Sequence, residues 1–265
     1  MDGISFDPGG REEGVAAAAR LLAHKERILV FTGAGISTES GIPDFRGPDG
    51  VWTRVDPAEF TYSRFLANPD TRRRSWQMRK ESGILEAEPN RAHRALVTLW
   101  EIGRMLAVVT QNIDGLHQKA GLPARVVVEL HGNAHQAVCV ACRAKVPTGE
   151  VLDRVAAGED DPDCTACGGI LKPDVVLFEE AMPVLETDRA MHLAYEADAV
   201  ISIGSTLGVF PAAFVPIRAI ETGASFVIVN MGPTEMDDLA DVLVAGPAGE
   251  VVPDLVAALT RSTPR

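Results

Sequence analysis

The only cysteines in the chain, Cys139, Cys142, Cys164 and Cys167, form two Cys-x-x-Cys pairs with 21 residues between them. In a reducing compartment that spacing reads as one tetrahedral zinc site rather than two disulfides. Each pair makes a knuckle in which two thiolates converge, and the second pair closes the tetrahedron. Four thiolates leave no position for water, so the ion is expected to be structural. Redox-active Cys-x-x-Cys pairs are the alternative, but the usual strand-then-helix setting is missing. His131 and His135 lie nearby and have no coordination role once the sulfur shell is complete.

A second chemistry is suggested by Thr32-Gly33-Ala34-Gly35-Ile36-Ser37, directly after an apolar run. Glycines after a buried strand let the backbone approach a pyrophosphate, and free amides at a following helix start favour its charge. The turn is not Gly-x-Gly-x-x-Gly, because Thr38 stands where the third glycine belongs. No acidic residue ends a second strand at the distance needed to grip an adenosine ribose, so the ordinary dehydrogenase fingerprint is incomplete. A tight strand–helix turn with no ligand is the plainer alternative.

Polar residues gather at other predicted strand ends: Thr110-Gln111-Asn112-Ile113-Asp114, Glu129-Leu130-His131-Gly132-Asn133, Gly204-Ser205-Thr206 and Asn230-Met231-Gly232. In an open α/β sheet the carboxyl ends of the strands line the ligand crevice. Taken singly, Asn112 or Asp114 can cap a helix and His131 can be a satisfied interior histidine. An amide, a carboxylate, an imidazole and a hydroxyl pair at one edge together point to a ligand-bound catalytic cleft.

The elements that must position these groups follow from the apolar pattern. Strands are predicted at residues 27–31, 105–109, 126–130, 175–178, 199–203 and 226–229, with a last one near 242–244. Helices are predicted at 13–24, 92–102, 188–196 and 211–222. Apolar strands alternating with helices indicate a parallel sheet covered on both faces. Two segments break that rhythm: residues 50–89, rich in Arg, Trp, Phe and Pro, and residues 132–172, which hold the cysteines and an acidic loop at 158–163 that reads as a solvated connection. The fold class is therefore α/β, a Rossmann-like parallel sheet domain (15–49, 90–131 and 173–265) with a smaller helical and zinc-binding module made from two insertions (50–89 and 132–172). No internal repeat is visible.

Composition limits the function classes. A chain of 265 residues buries roughly 70–75% of its extended surface and needs no disulfide staple. Hydrophobic residues at 46% and charged residues at 23% exclude a disordered or coiled-coil chain. With 25 basic against 37 acidic residues the net charge is −12, which argues against broad nucleic-acid binding. No run approaches the roughly 18 apolar residues that span a membrane. Residues 1–14 read as a loose, acidic leader without a basic-then-apolar signal, so a cytoplasmic location is expected.

Longer blocks resemble a known family. Gly33-Ala-Gly-Ile-Ser-Thr-Glu-Ser-Gly-Ile-Pro-Asp-Phe-Arg-Gly47 resembles the signature of the sirtuins, the NAD-dependent protein-lysine deacylases. So do Thr110-Gln-Asn-Ile-Asp-Gly-Leu-His-Gln-Lys-Ala-Gly121, Glu129-Leu-His-Gly132, the two cysteine pairs and Gly204-Ser-Thr-Leu207, in family order across about residues 20–250.

The resemblance implies NAD as co-substrate, one structural zinc ion and acyl-lysine proteins or peptides as substrates. It implies that Gly33, Ala34, Gly35 and Ile36 lie against NAD phosphates and ribose. Asp44, Phe45 and Arg46 would sit on a cofactor loop, Phe45 shielding the reactive ribose and Arg46 holding phosphate. Asn112, Ile113 and Asp114 would take the nicotinamide end, with Gln111 near its ribose, and His131 would be the catalytic base. Gly204, Ser205, Thr206, Asn230, Met231 and Gly232 would hold the adenosine half, with Ala248 as a last backbone contact. The acyl oxygen attacks the nicotinamide ribose as nicotinamide leaves; the base then removes a ribose hydroxyl proton so that the hydroxyl attacks the imidate, giving free lysine and O-acyl-ADP-ribose. A pocket that excludes water suits the cationic transition state, and histidine suits a base of near-neutral pKa.

Two departures stand out. Glu179 occupies a position where the family usually has Gly, in a stretch that pairs with the substrate backbone in relatives. Trp76-Gln-Met-Arg79 is the nearest match to the Tyr-x-x-Arg of the succinyl- and malonyl-removing subgroup; a solvated basic helix face, with Arg72, Arg73 and Arg74 crowding it, explains these residues at least as well. Deacetylation is thus the first expectation and acidic deacylation the second. ADP-ribosyl transfer, hydride transfer and NAD sensing without chemistry are the rivals.

Overall fold

A computed structural model describes residues 10–47 and 50–262; residues 1–9, most of the expected leader, lie outside it. The strands in chain order are β1 (Ile28–Thr32), β2 (Met105–Thr110), β3 (Val127–Glu129), β4 (Gly132–Cys139), β5 (Lys145–Pro147), β6 (Leu171–Val175), β7 (Ala199–Ile203), β8 (Ser225–Asn230) and β9 (Val242–Ala245). The helices are α1 (Arg11–Leu22), α2 (Tyr62–Ala67), α3 (Pro69–Glu81), α4 (Arg91–Glu101), α5 (Leu116–Ala120), α6 (Thr148–Ala156), α7 (Val184–Glu196), α8 (Phe214–Glu221) and α9 (Ala248–Ser262).

Six strands form one parallel sheet in the order β3-β2-β1-β7-β8-β9. Its strands are mostly apolar because both faces are covered. Successive side chains point to opposite faces, so Ile28 and Val30 join α1, α4 and α9 through Leu22, Leu96 and Leu255. Leu29 and Phe31 join α7 and α8 through Ala194 and Val215. Each large side chain so buried contributes roughly 1.5–3 kcal/mol. β1 lies centrally, β2 and β3 extend from one side and β7 to β9 from the other. The order therefore reverses at β1/β7, and that switch point opens the crevice at the carboxyl ends.

Three expectations need correction. The apolar run at 175–178 is not a strand of the parallel sheet: only Val175 is in a strand, as the end of β6, which belongs to a separate antiparallel sheet, β5-β4-β6. Beyond it, Val176 N donates to His131 O at 2.9 Å, Leu177 N to the Glu180 carboxylate at 3.1 Å and Phe178 N to Phe60 O at 2.9 Å. Val175 pairs with Gly132 as the last residue of β6 and Phe178 makes an isolated bridge to Thr61, while the apolar character of the run reflects burial of Val175 and Leu177 against Phe65. No α-helix follows the glycine turn; two short 3-10 turns, Ala34–Ile36 and Thr38–Ser40, carry the chain instead. The acidic loop is also not merely solvated, since Asp161 takes a two-pronged contact from Arg72 (Nε–Oδ1 2.9 Å, Nη2–Oδ2 2.7 Å).

The two irregular segments pack on each other. Trp76 of α3, fully buried, lies among Ala137 and Cys139 of β4, Val151 and Val155 of α6, and Cys164 and Leu171.

Candidate active site

The glycine turn serves a different neighbour from the one its spacing suggests. Gly33 N donates to Ile203 O at 3.0 Å and Gly35 N to Gly204 O at 2.8 Å, locking the end of β1 onto the end of β7. A Cβ on Gly35 would come within 2.7 Å of Gly204 Cα, and Gly204 itself has φ +63°. The glycines are needed first for this backbone-to-backbone contact, and the Gly35 amide is already engaged.

The loop after β2 folds under that turn. Asn112 Nδ2 donates to Gly33 O at 3.1 Å and to Ser37 Oγ at 3.2 Å, and Ser37 Oγ donates to Asp114 Oδ2 at 2.7 Å. Asp114 Oδ1 accepts Leu116 N at 2.9 Å, so Asp114 also caps the start of α5. Among the described residues Asp114 pairs with no cation, although it is buried. Ile113 O accepts Ala134 N at 2.7 Å, and His135 Nε2 bonds the Asp114 carbonyl at 2.9 Å rather than any metal. Gln111 Nε2 reaches across the crevice to Ser205 Oγ at 2.9 Å.

His131, between β3 and β4, bonds Gln111 O through Nδ1 at 3.0 Å. A carbonyl can only accept, so Nδ1 carries the hydrogen and Nε2 the lone pair. Burial holds this imidazole below its ordinary pKa, with the Gln111 carbonyl opposing the shift. The neutral form, with a basic Nε2, therefore prevails at neutral pH. Nearby, burial raises the Glu129 carboxyl above its usual range even though Asn133 Nδ2 donates to it at 2.7 Å.

On the loop after the glycine turn, Asp44 Oδ1 accepts Gly47 N at 2.8 Å, Phe45 is about half exposed, and Arg46 Nη1 donates to Thr206 Oγ1 at 2.8 Å. Arg46 makes no ion pair among the described residues. A guanidinium held only by a hydroxyl beside this crevice matches an anionic ligand such as a pyrophosphate. At the end of β8, Asn230 Nδ2 donates to Gly232 O at 2.8 Å and Met231 is exposed. Ala248 is buried at the start of α9, where the Gly249 amide donates to Glu39 Oε2 at 2.6 Å. The fold thus carries the sequence-predicted residues to the carboxyl edge of one sheet. Sequence reasoning missed Ser37, Glu39, Asn90 and His117. Ser37 and Glu39 were legible as part of the glycine signature, whereas Asn90, whose Nδ2 donates to Ile36 O at 2.7 Å, carried no local signal.

The four cysteine sulfurs lie within 4.8 Å of one another. Cys139 Sγ and Cys167 Sγ are 3.5 Å apart, and Cys142 Sγ and Cys164 Sγ 3.8 Å. A disulfide needs about 2.05 Å, whereas the edges of a tetrahedron with Zn–S near 2.3 Å come to about 3.8 Å. Amides of Cys142 and Ala141 bring the Cys139 thiol down to about 6. Cys167, despite the Gly169 amide, is driven up to about 12 by the neighbouring thiols. Four thiolates cannot share this space without a cation, and the donor set fits zinc.

Both departures find a structural account. Glu179 has φ +70°, the region that favours glycine and costs another residue on the order of 1–3 kcal/mol. Its carboxylate offsets this by accepting from Ser63 N at 3.2 Å and Ser63 Oγ at 2.5 Å. Trp76 points into the zinc-module core, and Arg79, one turn on, has a buried Nε without a partner.

Sheet order, switch-point crevice, cysteine cluster and strand-end residues define the class, and residues 33–211 match the Sir2 family. The chain belongs to that family. It is 46% identical over 237 residues to an NAD-dependent protein deacetylase 2 of Streptomyces coelicolor, covering 89% of this chain and 98% of the relative. It is 42% identical to an NAD-dependent protein deacylase of Pyrococcus abyssi, covering 93% and 98%. A solved structure described as "Structural Basis for the Mechanism and Regulation of Sir2 Enzymes" superposes with TM-score 0.87 at 42% identity, covering 94% of this chain and 99% of that one. Another, described as "Sir2-p53 peptide-NAD+", gives TM-score 0.79 at 38% identity, covering 88% and 93%. No helix among the described residues is long and apolar enough to cross a membrane.

Proposed function

We propose that this chain is an NAD-dependent protein-lysine deacylase whose first substrates are acetyl-lysine peptides. The observation that carries this reading is the His131 imidazole, held by Gln111 O with its Nε2 lone pair free, beside the Asn112–Ser37–Asp114 cluster. NAD, when bound, supplies the ribose carbon that accepts the acyl oxygen as nicotinamide departs. Gly33, Ala34, Ile36 and Arg46 hold its phosphates, and Gly204, Ser205, Thr206, Asn230, Met231, Gly232 and Ala248 its adenosine half. Asn112, Ile113 and Asp114 hold the nicotinamide, Asp114 offering a buried negative charge to a cationic ring. Gln111 contacts the ribose, and Phe45 closes over it and excludes water. His131 Nε2 then takes the hydroxyl proton that starts acyl transfer. Cys139, Cys142, Cys164 and Cys167 hold one zinc ion that takes no part in the reaction.

The division into a nucleotide-binding domain (15–49, 90–131, 173–265) and a helical and zinc module (50–89, 132–172) belongs to the same reading, supported by the separate cores around the parallel sheet and Trp76. So do a cytoplasmic setting and, supported by the acidic balance, a partner list without nucleic acid.

Mass spectrometry of an acetyl-lysine peptide incubated with the zinc-loaded protein tests the reading. Loss of the acetyl group and release of nicotinamide are expected only when NAD is present. Intact peptide with NAD bound, ADP-ribosylated peptide, or reduction of the cofactor would overturn it in favour of sensing, ADP-ribosyl transfer or hydride transfer.

A second reading, removal of acidic acyl groups, is favoured by Arg79. Burial pushes its guanidinium down to about 10, and the buried Nε lacks an acceptor. A carboxylate on the acyl tail would supply one. Arg79→Met is expected to lower kcat/KM for a succinyl peptide roughly tenfold or more while leaving the acetyl peptide within about twofold. Equal losses on both peptides, or no succinyl turnover by the wild type, would remove this reading.

A further inference from the structure

The loop that carries Asn112, Ile113 and Asp114 leaves β2 at Thr110 and enters α5 at Leu116. Besides its local bonds, its two ends are joined through side chains to the end of β1. Thr110 and Thr32 are register partners at the ends of parallel strands β2 and β1. Thr32 Oγ1 donates to Thr110 Oγ1 at 2.8 Å, and Thr110 Oγ1 also accepts the backbone N–H of Asn112 at 3.0 Å. On the far side of the loop, His117 Nε2 lies 3.0 Å from Thr32 Oγ1. His117 Nδ1 is buried without a hydrogen-bond partner, and an N–H there would be orphaned, so the ring keeps its hydrogen on Nε2, which donates to Thr32 Oγ1. All four residues are buried, with His117 1% exposed and Thr32 0%. Burial, with His93 as neighbour, holds His117 well below an ordinary imidazole pKa, in agreement with a neutral ring.

We infer that His117 is a positioning residue for the nicotinamide end of the site, clamping the root of the 111–116 loop through Thr32 and Thr110 so that Asn112 and Asp114 keep their spacing. His117 itself is below the surface and touches no ligand. The 176–178 stretch is held by His131 O and Phe60 O and lies outside this chain of bonds, whereas His131 itself is held by Gln111 O, at the start of the clamped loop. The inference rests on the deacylase reading for its ligand, but the clamp can be examined without turnover.

Two measurements test it. Side-chain ¹⁵N NMR of the wild-type chain at neutral pH is expected to show His117 neutral and protonated at Nε2; an imidazolium, or a ring protonated at Nδ1, would overturn the clamp whatever the enzyme does. Nicotinamide exchange and acetyl-peptide kinetics are then compared in His117→Leu, Thr32→Val and His117→Gln. Leucine and valine remove the hydrogen bonds at similar volume, and glutamine restores an N–H near the Nε2 position. Loss of such a bond is expected to lower kcat/KM for nicotinamide exchange about tenfold in the first two, with KM for the peptide within about twofold, and glutamine is expected to recover most of the loss. Equal deficits in His117→Gln and His117→Leu, or a parallel rise in peptide KM, would reduce His117 to packing. If His117→Leu does not fold, Thr32→Val and the NMR result decide. A wild-type protein that neither deacylates nor exchanges nicotinamide would defeat the functional reading and leave the NMR test standing.

Discussion

Replacement of His131 by alanine is expected to abolish acyl transfer almost completely while leaving nicotinamide exchange measurable. In the proposed order the base acts after nicotinamide has left, so the first step does not need it. A positioned general base contributes about 10²–10⁴-fold, and no second group replaces it: Glu129 is engaged by Asn133, and His135 by the Asp114 carbonyl. The pH profile follows from the same geometry. Only neutral His131 can accept a proton, and burial lowers its pKa. The rate of acyl transfer should therefore rise with pH through a value below the ordinary imidazole pKa of about 6.5 and be flat across neutrality. Protonation of Nε2 as pH falls removes the base. Full acyl transfer by His131→Ala, or an acid limb centred above the ordinary imidazole value, would show that the base lies elsewhere.

Removal of zinc is the second large effect. The two buried cysteines, Cys139 and Cys164, are part of the core that surrounds Trp76. Metal-stripped protein would leave four sulfurs at close range with no shared cation to hold the two knuckles together. Structural zinc binding is worth about 10–16 kcal/mol in small peptides, comparable to or larger than the roughly 5–15 kcal/mol that holds a whole domain folded. Chelation, or Cys139→Ser, is therefore expected to disorder the zinc module, move Trp76 into water with a red-shifted fluorescence, and eliminate deacylation. The parallel sheet has its own core and should retain helical circular dichroism. One zinc per chain is expected by elemental analysis before chelation. A stripped protein with native Trp76 fluorescence and full activity would refute the structural assignment.

These two cases differ in how visible they were beforehand. The zinc ligands were legible because ligand spacing within a knuckle is local: two residues between cysteines suffice for convergence, and the absence of any fifth cysteine leaves no choice of partner. The base was legible only by resemblance, since a lone histidine after a short strand reads equally as an interior residue. The sheet strands were recognisable from unbroken apolar runs, and Ala199–Ile203 matches its predicted range. The run at 175–178 failed because an apolar stretch can be buried by a loop as well as by a sheet, and periodicity does not separate the two.

The sequence by itself therefore determined the α/β class, the cysteine cluster, the family and the polar edge of the crevice, all properties carried by local composition and fixed spacing. Only the tertiary structure decided how those residues are used. It showed that Gly35 is small in order to meet Gly204, that Asp161 serves Arg72, and that Glu179 adopts a glycine-like backbone secured by Ser63. It also joined His117 to Thr32, 85 residues away in the chain. The physical reason is common to all four. Hydrogen-bond partners distant in sequence are set by strand order and register, and a hydroxyl or carboxylate in a one-dimensional pattern carries no mark of the group it will meet.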